Sequence, residues 1–332
     1  MISDVSESRL VKRRVGFVLV EGFALMSFAA VTEPLRAANL LAGRRIYELF
    51  HFAAGRGTAK TLNSSSAASV AVGDLQETTD TFDLAFVVAG GDPVGFRSPR
   101  LFRWLRRQAQ HGCMLGGVSG GPAILANAGV MENRRMTVHW EHYGALAERH
   151  PGLLLERTLY VVDRDRMTCA GGTAPLDMMH ALIAEHHGPD FARKVSDWFM
   201  HTDVRPAGGP QRAGLAQRYG TNRPAVLAAI EVMENHVADP LPLTVLAQVV
   251  GVSVRQLNRQ FKAGLGRSAG GFYRALRLEK SRELLHQTSL PVLEIAIATG
   301  FSGAAHFATA YRQRYGAAPS HDRLETPHGH WL

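Results

Sequence analysis

Up to about residue 200 the chain alternates apolar runs with amphipathic stretches, and each run predicts an element. Val15-Gly-Phe-Val-Leu-Val20 reads as a buried strand, and a helix follows across Ser27 to Leu41. Ile46 to Ala53, Asp83 to Ala89 and Cys113 to Val118 are further strands, with an Arg-rich helix from Pro99 to His111 between the last two. Short β-rich runs separated by helices predict an α/β fold, a parallel sheet covered on both faces by helices. In such sheets the ligand site lies at the carboxyl ends of the strands.

The last third predicts an all-α domain with two helix-turn-helix units back to back, Leu243 to Lys262 and Val292 to Tyr315. Each unit has a short amphipathic helix carrying a small residue (Ala247, Ala296), then a Gly turn, then a Ser. Gly251 and Gly300 stand where the chain turns sharply and needs positive φ. Ser253 and Ser302 offer a side-chain oxygen to the free N–H groups of the next helix. The small residues let the second helix cross close above the first.

The outward positions of the second helices are polar. In the first unit they are Arg255, Gln256, Asn258 and Arg259, types that pair with guanine and adenine edges in the major groove. In the second they are Ser302, His306, Thr309 and Arg312, a poorer set suited mainly to phosphate contact. One such unit is also compatible with a plain helical bundle; two are hard to explain that way. Charge agrees. Arg255, Arg259, Lys262, Arg267, Arg274, Arg277, Lys280 and Arg282 face only Glu279 in the same stretch, an excess that phosphate neutralisation needs.

At these residues the chain resembles the AraC/XylS family of bacterial transcription regulators. The resemblance rests on Ser253-x-Arg255-x-Leu257-x-Arg259-x-Phe261-Lys262, Gly266-x-Ser268, Tyr273-x-x-x-Arg277-Leu278 and Ala298-x-Gly300-Phe301-Ser302. It continues through Phe307, Tyr311-Arg312, Tyr315-Gly316 and Ala318-Pro319-Ser320. It implies two reading heads joined by a long helix, here roughly Gly271 to Gln287, that engage adjacent major-groove segments. Ala269-Gly270-Gly271 stands where the family usually has Pro after the Ser, which predicts a looser entry to that helix.

With 332 residues the chain is comfortable for two domains. A stretch rich in Pro, Gly and charge, Arg205 to Gly214, marks a linker, placed at 201–223 between domains at 14–200 and 224–323. No apolar stretch reaches the roughly 18 residues of a membrane span. Lys12-Arg13-Arg14 before the apolar run Val15 to Val31 imitates a signal peptide, but Glu21 and Gly22 split the run and no cleavage site follows. Cys113 and Cys169 make no disulfide framework, so a reducing cytoplasm is expected. The net charge of +8 suits a polyanionic partner.

Gly117-Val-Ser119-Gly-Gly121 follows a strand and precedes a helix predicted over Pro122 to Ala128, the layout of a nucleophile elbow. Taken literally it suggests a serine hydrolase, with His139 as base and Asp163 or Asp177 as acid.

The amino-terminal part resembles the glutamine-amidotransferase-like, flavodoxin-like fold of the PfpI-type proteases, in the version fused to an AraC-type module and often called the GlxA group. The residues are Gly22-Phe23, Glu33-Pro34-Leu35-Arg36-x-Ala38-Asn39, Gly90-Gly91, Gly117-Val-Ser119-Gly-Gly and Ala126-x-Ala128-Gly129. Thr137-Val-His139-Trp140-Glu141 and Cys169-Ala-Gly-Gly-Thr173 complete them. Catalytic members place Cys at the elbow with His directly behind, so that a base activates a thiolate. Here Ser119 is followed by Gly120, so no catalytic residue is assigned and the elbow is read as a degenerate one in a retained pocket.

The pocket's candidate residues are Glu33, Asn39, Gly91, Ser119, Gly120, His139, Trp140, Glu141 and Thr173. The resemblance implies an amino-acid-like or quaternary-amine effector such as a betaine, carnitine or an arginine derivative. Trp140 offers a ring face to a cation, and Glu33 or Glu141 its counter-charge. Ser119 and the helix N–H groups behind it offer a seat for a carboxylate. Against this, Trp140 is more often a core residue than a cation cage, His139 is equally a partner of a backbone carbonyl, and Glu141 has the alternative of a solvated helix-start charge. Glu33 stands out as a carboxylate on an otherwise apolar helix. Cys169 reads as a small buried hydrophobe.

The expectation is a ligand-responsive, sequence-specific transcription regulator, an activator, cytoplasmic and nucleoid-associated when bound. Its partners would be double-stranded DNA, a small effector, a second copy in a homodimer and RNA polymerase, with no membrane, metal or cofactor. The rivals are a Ser119-dependent hydrolase or amidase with an attached DNA-binding domain, and an architectural DNA-binding protein whose first domain only dimerises.

Overall fold

The computed structural model describes residues 12–55, 60–75, 80–287 and 290–325. The chain divides into two compact units, the first ending at Gln211 and the second beginning at Arg212. In the first, β1 (Arg13–Leu19), α1 (Leu25–Leu41), β2 (Tyr47–Ala53), β3 (Thr61–Asn63), β4 (Ser69–Ala71), β5 (Gly73–Asp74) and β6 (Leu84–Ala89) lead to α2 (Pro99–Gln110). Then come β7 (Met114–Ser119), α3 (Gly121–Asn127), β8 (Arg135–Thr137), α4 (Trp140–Arg149) and β9 (Leu154–Glu156). β10 (Tyr160–Asp163), β11 (Arg166–Cys169), α5 (Ala174–His187) and α6 (Pro189–Trp198) complete it.

Seven strands form one sheet in the order β10-β11-β7-β6-β1-β2-β5. Every pair in it is parallel except β10 with β11. Phe17, Val18, Leu19, Val87, Val88 and Val118 are fully buried, as expected of central strands covered on both faces. α1 and α5 pack their apolar faces (Val31, Leu35; Met178, Leu182) into the same core as Phe17 and Phe86. The α/β fold expected from the pattern is therefore the one observed. Register then sets the site. Leu19 lies opposite Val88, Val88 opposite Val118, and Val118 opposite Cys169, so four strands end level and their following loops share one edge.

The second unit is helical: α7 (Leu215–Tyr219), α8 (Pro224–Asn235), α9 (Leu243–Val249), α10 (Val254–Leu265), α11 (Ala269–Gln287), α12 (Val292–Ala298), α13 (Ala304–Tyr315) and α14 (Pro319–Glu325). α9–α10 and α12–α13 are the two helix-turn-helix units, joined by α11. Val226, Ile230, Leu246, Leu257, Phe261 and Phe272 form one core cluster. Gly251 and Gly300 both take φ of 72°, the left-handed turn conformation their positions call for.

Local chemistry differs between the units. Ser253 caps α10 by accepting from Gln256 N at 3.2 Å, and Gln256 Oε1 accepts from Ser253 N at 2.9 Å, a reciprocal capping box. The expected cap at Ser302 does not form. α13 starts one residue later with Gly303 as its N-cap, and Ser302 Oγ instead meets His306 Nδ1 at 3.3 Å. The entry to α11 is not loose either: Ser268 Oγ accepts from Gly271 N at 3.2 Å, replacing the constraint that Pro would have given.

Candidate functional site

Ser119 ends β7 and has φ of 60°, a left-handed conformation costly for a residue with a Cβ. This strained turn lifts the side chain off the sheet edge, where it is only 7% exposed. What surrounds it comes from the level strand ends. A Cβ on Gly171 would stand 2.8 Å from Ser119 Cβ and 3.0 Å from Ser27 Oγ, so glycine there lets the loop after β11 close over both serines. Ser27 Oγ accepts from Gly172 N at 2.9 Å, and Ser119 O accepts from His139 N at 3.4 Å. The structure thus brings Ser119, Ser27, the Gly171–Thr173 loop and the start of α4 to one place.

Ser27 is a site residue that sequence reasoning missed. The signal was present: it is the polar residue in the first turn of α1 on a face otherwise filled by Phe28, Val31 and Leu35. Glu33 drew notice instead, yet its side chain is 41% exposed and paired with Arg36 at 2.6 Å. Six residues along a helix are about 9 Å and about 240° from Ser27, which takes Glu33 to another face. Glu33 is therefore removed from the pocket.

Asn39 is removed for a different reason. Its Oδ1 accepts from Ile46 N and Tyr47 N at 2.8 Å each, and its Nδ2 donates to Tyr47 O at 2.7 Å. Asn39 staples the end of α1 to the amino end of β2, across the sheet from the Ser119 edge. Gly91 is an exposed turn with φ of 61° in the loop after β6. Gly120 cannot cradle a carboxylate, because its N–H donates to Ala89 O at 3.1 Å. Pro122 has no N–H and that of Ala123 goes to Gly120 O, so the expected seat behind the elbow shrinks to Gly121.

His139, Trp140 and Glu141 open α4. His139 is its N-cap, with Nδ1 accepting from Glu141 N at 3.4 Å and lying 3.6 Å from Glu141 Oε2. Burial lowers the pKa of the His139 imidazole, which favours its neutral form. Its ring lies 5.2 Å from that of half-buried Trp140 and 5.8 Å from that of buried His142. Among the described residues no hydrogen bond joins His139 to Ser119 Oγ. The acids that a triad would draw on are engaged elsewhere: Asp163 with Arg135 N and Arg164, Asp177 with His201 and Arg205. Cys169 is fully buried, and burial pushes its thiol up to about 12, so it is an inert packing residue.

The segment leaving the first unit is bound to both sides of this cluster. Arg205 Nη2 donates to Thr173 Oγ1 at 3.0 Å, and Gln211 Nε2 donates to Thr137 Oγ1 at 3.0 Å and Val138 O at 3.1 Å. The stretch that composition marks as a linker is, up to Gln211, fastened to the sheet. A cavity of about 260 Å³ lies at the opposite edge, where β11 begins, lined by Arg106, Glu132, Arg134 and Arg166.

On the second unit, Arg255, Gln256 and Arg259 stand exposed on one side of α10, opposite buried Leu257 and Phe261. Ser302, His306, Thr309 and Arg312 are exposed around α13, opposite Phe307 and Tyr311. Asn258 leaves the set of base readers, since its Oδ1 accepts from Ala269 N at 3.0 Å and anchors the start of α11. Gln256 keeps only its amide N–H groups for another partner, its oxygen being used in the capping box.

These features define a two-part regulator of transcription, an α/β unit followed by paired helix-turn-helix heads. The chain belongs to the AraC-type transcription regulators that carry a DJ-1/PfpI domain: the DJ-1/PfpI family model matches residues 13–185 and a helix-turn-helix domain model residues 246–324. It is 47% identical to the HTH-type transcriptional regulator GlxA of Rhizobium meliloti, over 95% of this chain and 96% of that protein. To the HTH-type transcriptional regulator CdhR of Pseudomonas aeruginosa it is 39% identical, over 94% and 91%. A crystal structure of an AraC family transcriptional regulator from Pseudomonas putida aligns with a TM-score of 0.50 at 26% identity, covering 56% of this chain and 99% of that one. Among the described residues no helix is long and apolar enough to cross a membrane.

Proposed function

We propose that the chain is an effector-responsive activator whose first unit senses a small nitrogenous metabolite and whose second reads a promoter. The observation that carries this is the fastening of the exit segment to both walls around Ser119, through Arg205 on Thr173 and Gln211 on Thr137 and Val138. Ser119 is nearly closed off, so an effector reaching it has to part the Gly171–Thr173 loop from the start of α4. Parting them strains bonds of the very segment that continues into the second unit. Effector binding and the placement of that segment are then two sides of one equilibrium.

The effector is a zwitterion of the amino-acid or betaine kind. Trp140 receives its cationic end against the ring, and the Ser119 and Ser27 hydroxyls receive its carboxylate. On DNA the regulator acts as a homodimer beside RNA polymerase, in the cytoplasm and on the nucleoid. With no base hydrogen-bonded to the Ser119 hydroxyl among the described residues, the elbow binds and does not turn over.

The test is a thermal-shift screen of the full chain against amino acids, betaines, carnitine and choline, followed by operator binding with any hit. A ligand at 100 times its Kd adds about 2.7 kcal/mol to the unit that binds it. The expected result is a hit that changes operator affinity and is lost in Trp140→Ala. Operator binding indifferent to every nitrogenous metabolite overturns the reading in favour of a first unit that only dimerises, and hydrolysis of a hit that Ser119→Ala abolishes overturns it in favour of an enzyme.

A further inference from the structure

We infer that His139, Glu141 and His142 form a site for one borderline divalent cation of the zinc class. This departs from the expectation that the chain holds no metal. The three side chains each present a ligand atom, and all three atoms lie within 4.8 Å of one another. The local fold brings them together for a simple reason. His139 is the N-cap of α4 and His142 follows three residues later, and positions three apart share a face of a helix. Glu141 comes between them, with Oε2 at 3.6 Å from His139 Nδ1, and the two imidazoles stand with ring centroids 5.8 Å apart.

The donor set decides the ion. Two imidazoles and one carboxylate are the protein ligands of open zinc sites, in which a water or an exogenous group takes the fourth tetrahedral position. Magnesium and calcium prefer all-oxygen shells, so nitrogen donors select zinc, nickel, cobalt or copper(II). Bonds of about 2.0–2.2 Å place tetrahedral donors about 3.4 Å apart. Closing the observed separations to that spacing takes rotation of the three side chains, and a metal on His139 Nδ1 displaces the hydrogen bond that this atom accepts from Glu141 N at 3.4 Å. The site is also mechanically tied to the elbow, because His139 N donates to Ser119 O at 3.4 Å. A cation held by His139 fixes the start of α4 against Ser119 and supplies a positive charge at the rim of the pocket. Its existence does not depend on which effector the pocket takes.

The test uses the full chain, stripped with a chelator and then titrated with Zn²⁺ by calorimetry and with Co²⁺ by visible absorption. His328 and His330 near the carboxyl terminus are a second source of imidazole, so both are replaced by alanine in the reference protein. One equivalent of Zn²⁺ per chain and the intense absorption of tetrahedral Co²⁺ are expected. Loss of an outer partner alone weakens metal sites about 10–100-fold, so loss of a ligand in His142→Ala, or in the gentler Glu141→Gln, should weaken Zn²⁺ by more than about 100-fold. Zn²⁺ affinity unchanged in both variants, or a reference protein that binds none, overturns the inference. Effector shifts measured on the chelator-treated protein test the sensing function separately.

Discussion

Arg205 closes on Asp177 with three donors: its backbone N–H at 2.9 Å, Nε at 3.0 Å and Nη2 at 2.7 Å. The carboxylate they surround is fully buried and also meets His201 Nε2 at 2.8 Å. Asp177 lies in the first turn of α5, directly behind the loop that covers Ser119, so this pair binds the exit segment to the pocket wall. Removing one partner of a buried pair costs about 3–5 kcal/mol; since the Arg205 side chain is 37% exposed and His201 remains, Arg205→Ala should cost about 2–3 kcal/mol. The reading is the urea midpoint of the first unit at unchanged slope. Alongside it, operator affinity should cease to respond to effector. A loss typical of surface ion pairs, below about 0.5 kcal/mol, would contradict the role given to this clasp.

The left-handed Ser119 yields a second expectation. Glycine accepts φ of 60° without strain but loses more entropy on folding, so Ser119→Gly should fall within about 1 kcal/mol of the parent in either direction. Ser119→Val places a β-branched residue in the same conformation beneath Gly171, and should cost at least about 2 kcal/mol. Thermal denaturation of the two variants decides it. Equal destabilisation by both would mean that the hydroxyl, rather than the backbone, holds the turn.

Much of this was legible because it is local. β1, β6 and β7 announce themselves as apolar runs, since strands buried on both faces carry few polar positions to disguise them, and β2 is legible despite the half-buried Glu48 and His51 within it. The edge pair β10–β11 was not legible: Tyr160-Val-Val-Asp163 and Arg166-Met-Thr-Cys169 are short, and Arg166 is a buried charge satisfied by Val130 O and Asp165. Polar residues were legible in type but not in role. Asn39 and Asn258 both look like ligand contacts, yet each spends its amide oxygen on a backbone N–H at the start of the next element. Ser27 was eclipsed by Glu33 because charge is conspicuous in a sequence, whereas the face a helix buries is known only from its neighbours. The clasp of Asp177 by Arg205 spans a gap that no sequence spacing reports.

Asn258 and Arg255 should separate cleanly by mutation. Arg255 is exposed on α10, so Arg255→Ala should leave folding unchanged, cost about 1–3 kcal/mol of operator binding and relax one base position. Asn258→Ala removes the cap on Ala269 N and should lower the stability of the second unit by about 1 kcal/mol while leaving base preference intact. Competition binding across single-base operator variants, beside thermal melts, distinguishes them. Relaxed preference in Asn258→Ala would return that residue to the reading face.

Acid should weaken the first unit through His186. Burial, with Arg13 and His187 nearby, depresses its pKa from the usual imidazole value to about 4, and Asp83 opposes this only in part. Its Nδ1 lies 2.8 Å from the Tyr47 hydroxyl, at the end where α5 meets β2. The unfolded chain binds a proton here below its own pKa of about 6.5, whereas the folded chain resists until about 4. Between those values the unfolded state holds more protons, so stability rises with pH. The contribution is complete above about 6.5, falls as the pH drops through that window, and is constant below about 4. His187, half-buried beside the same arginine, is shifted in the same direction and adds to the slope. Melting temperatures of the first unit measured from pH 7 to pH 4 should decline, and His186→Phe, whatever its absolute stability, should decline less steeply. Parallel curves for the parent and the variant would mean that His186 takes up its proton in the folded protein as readily as in the unfolded chain.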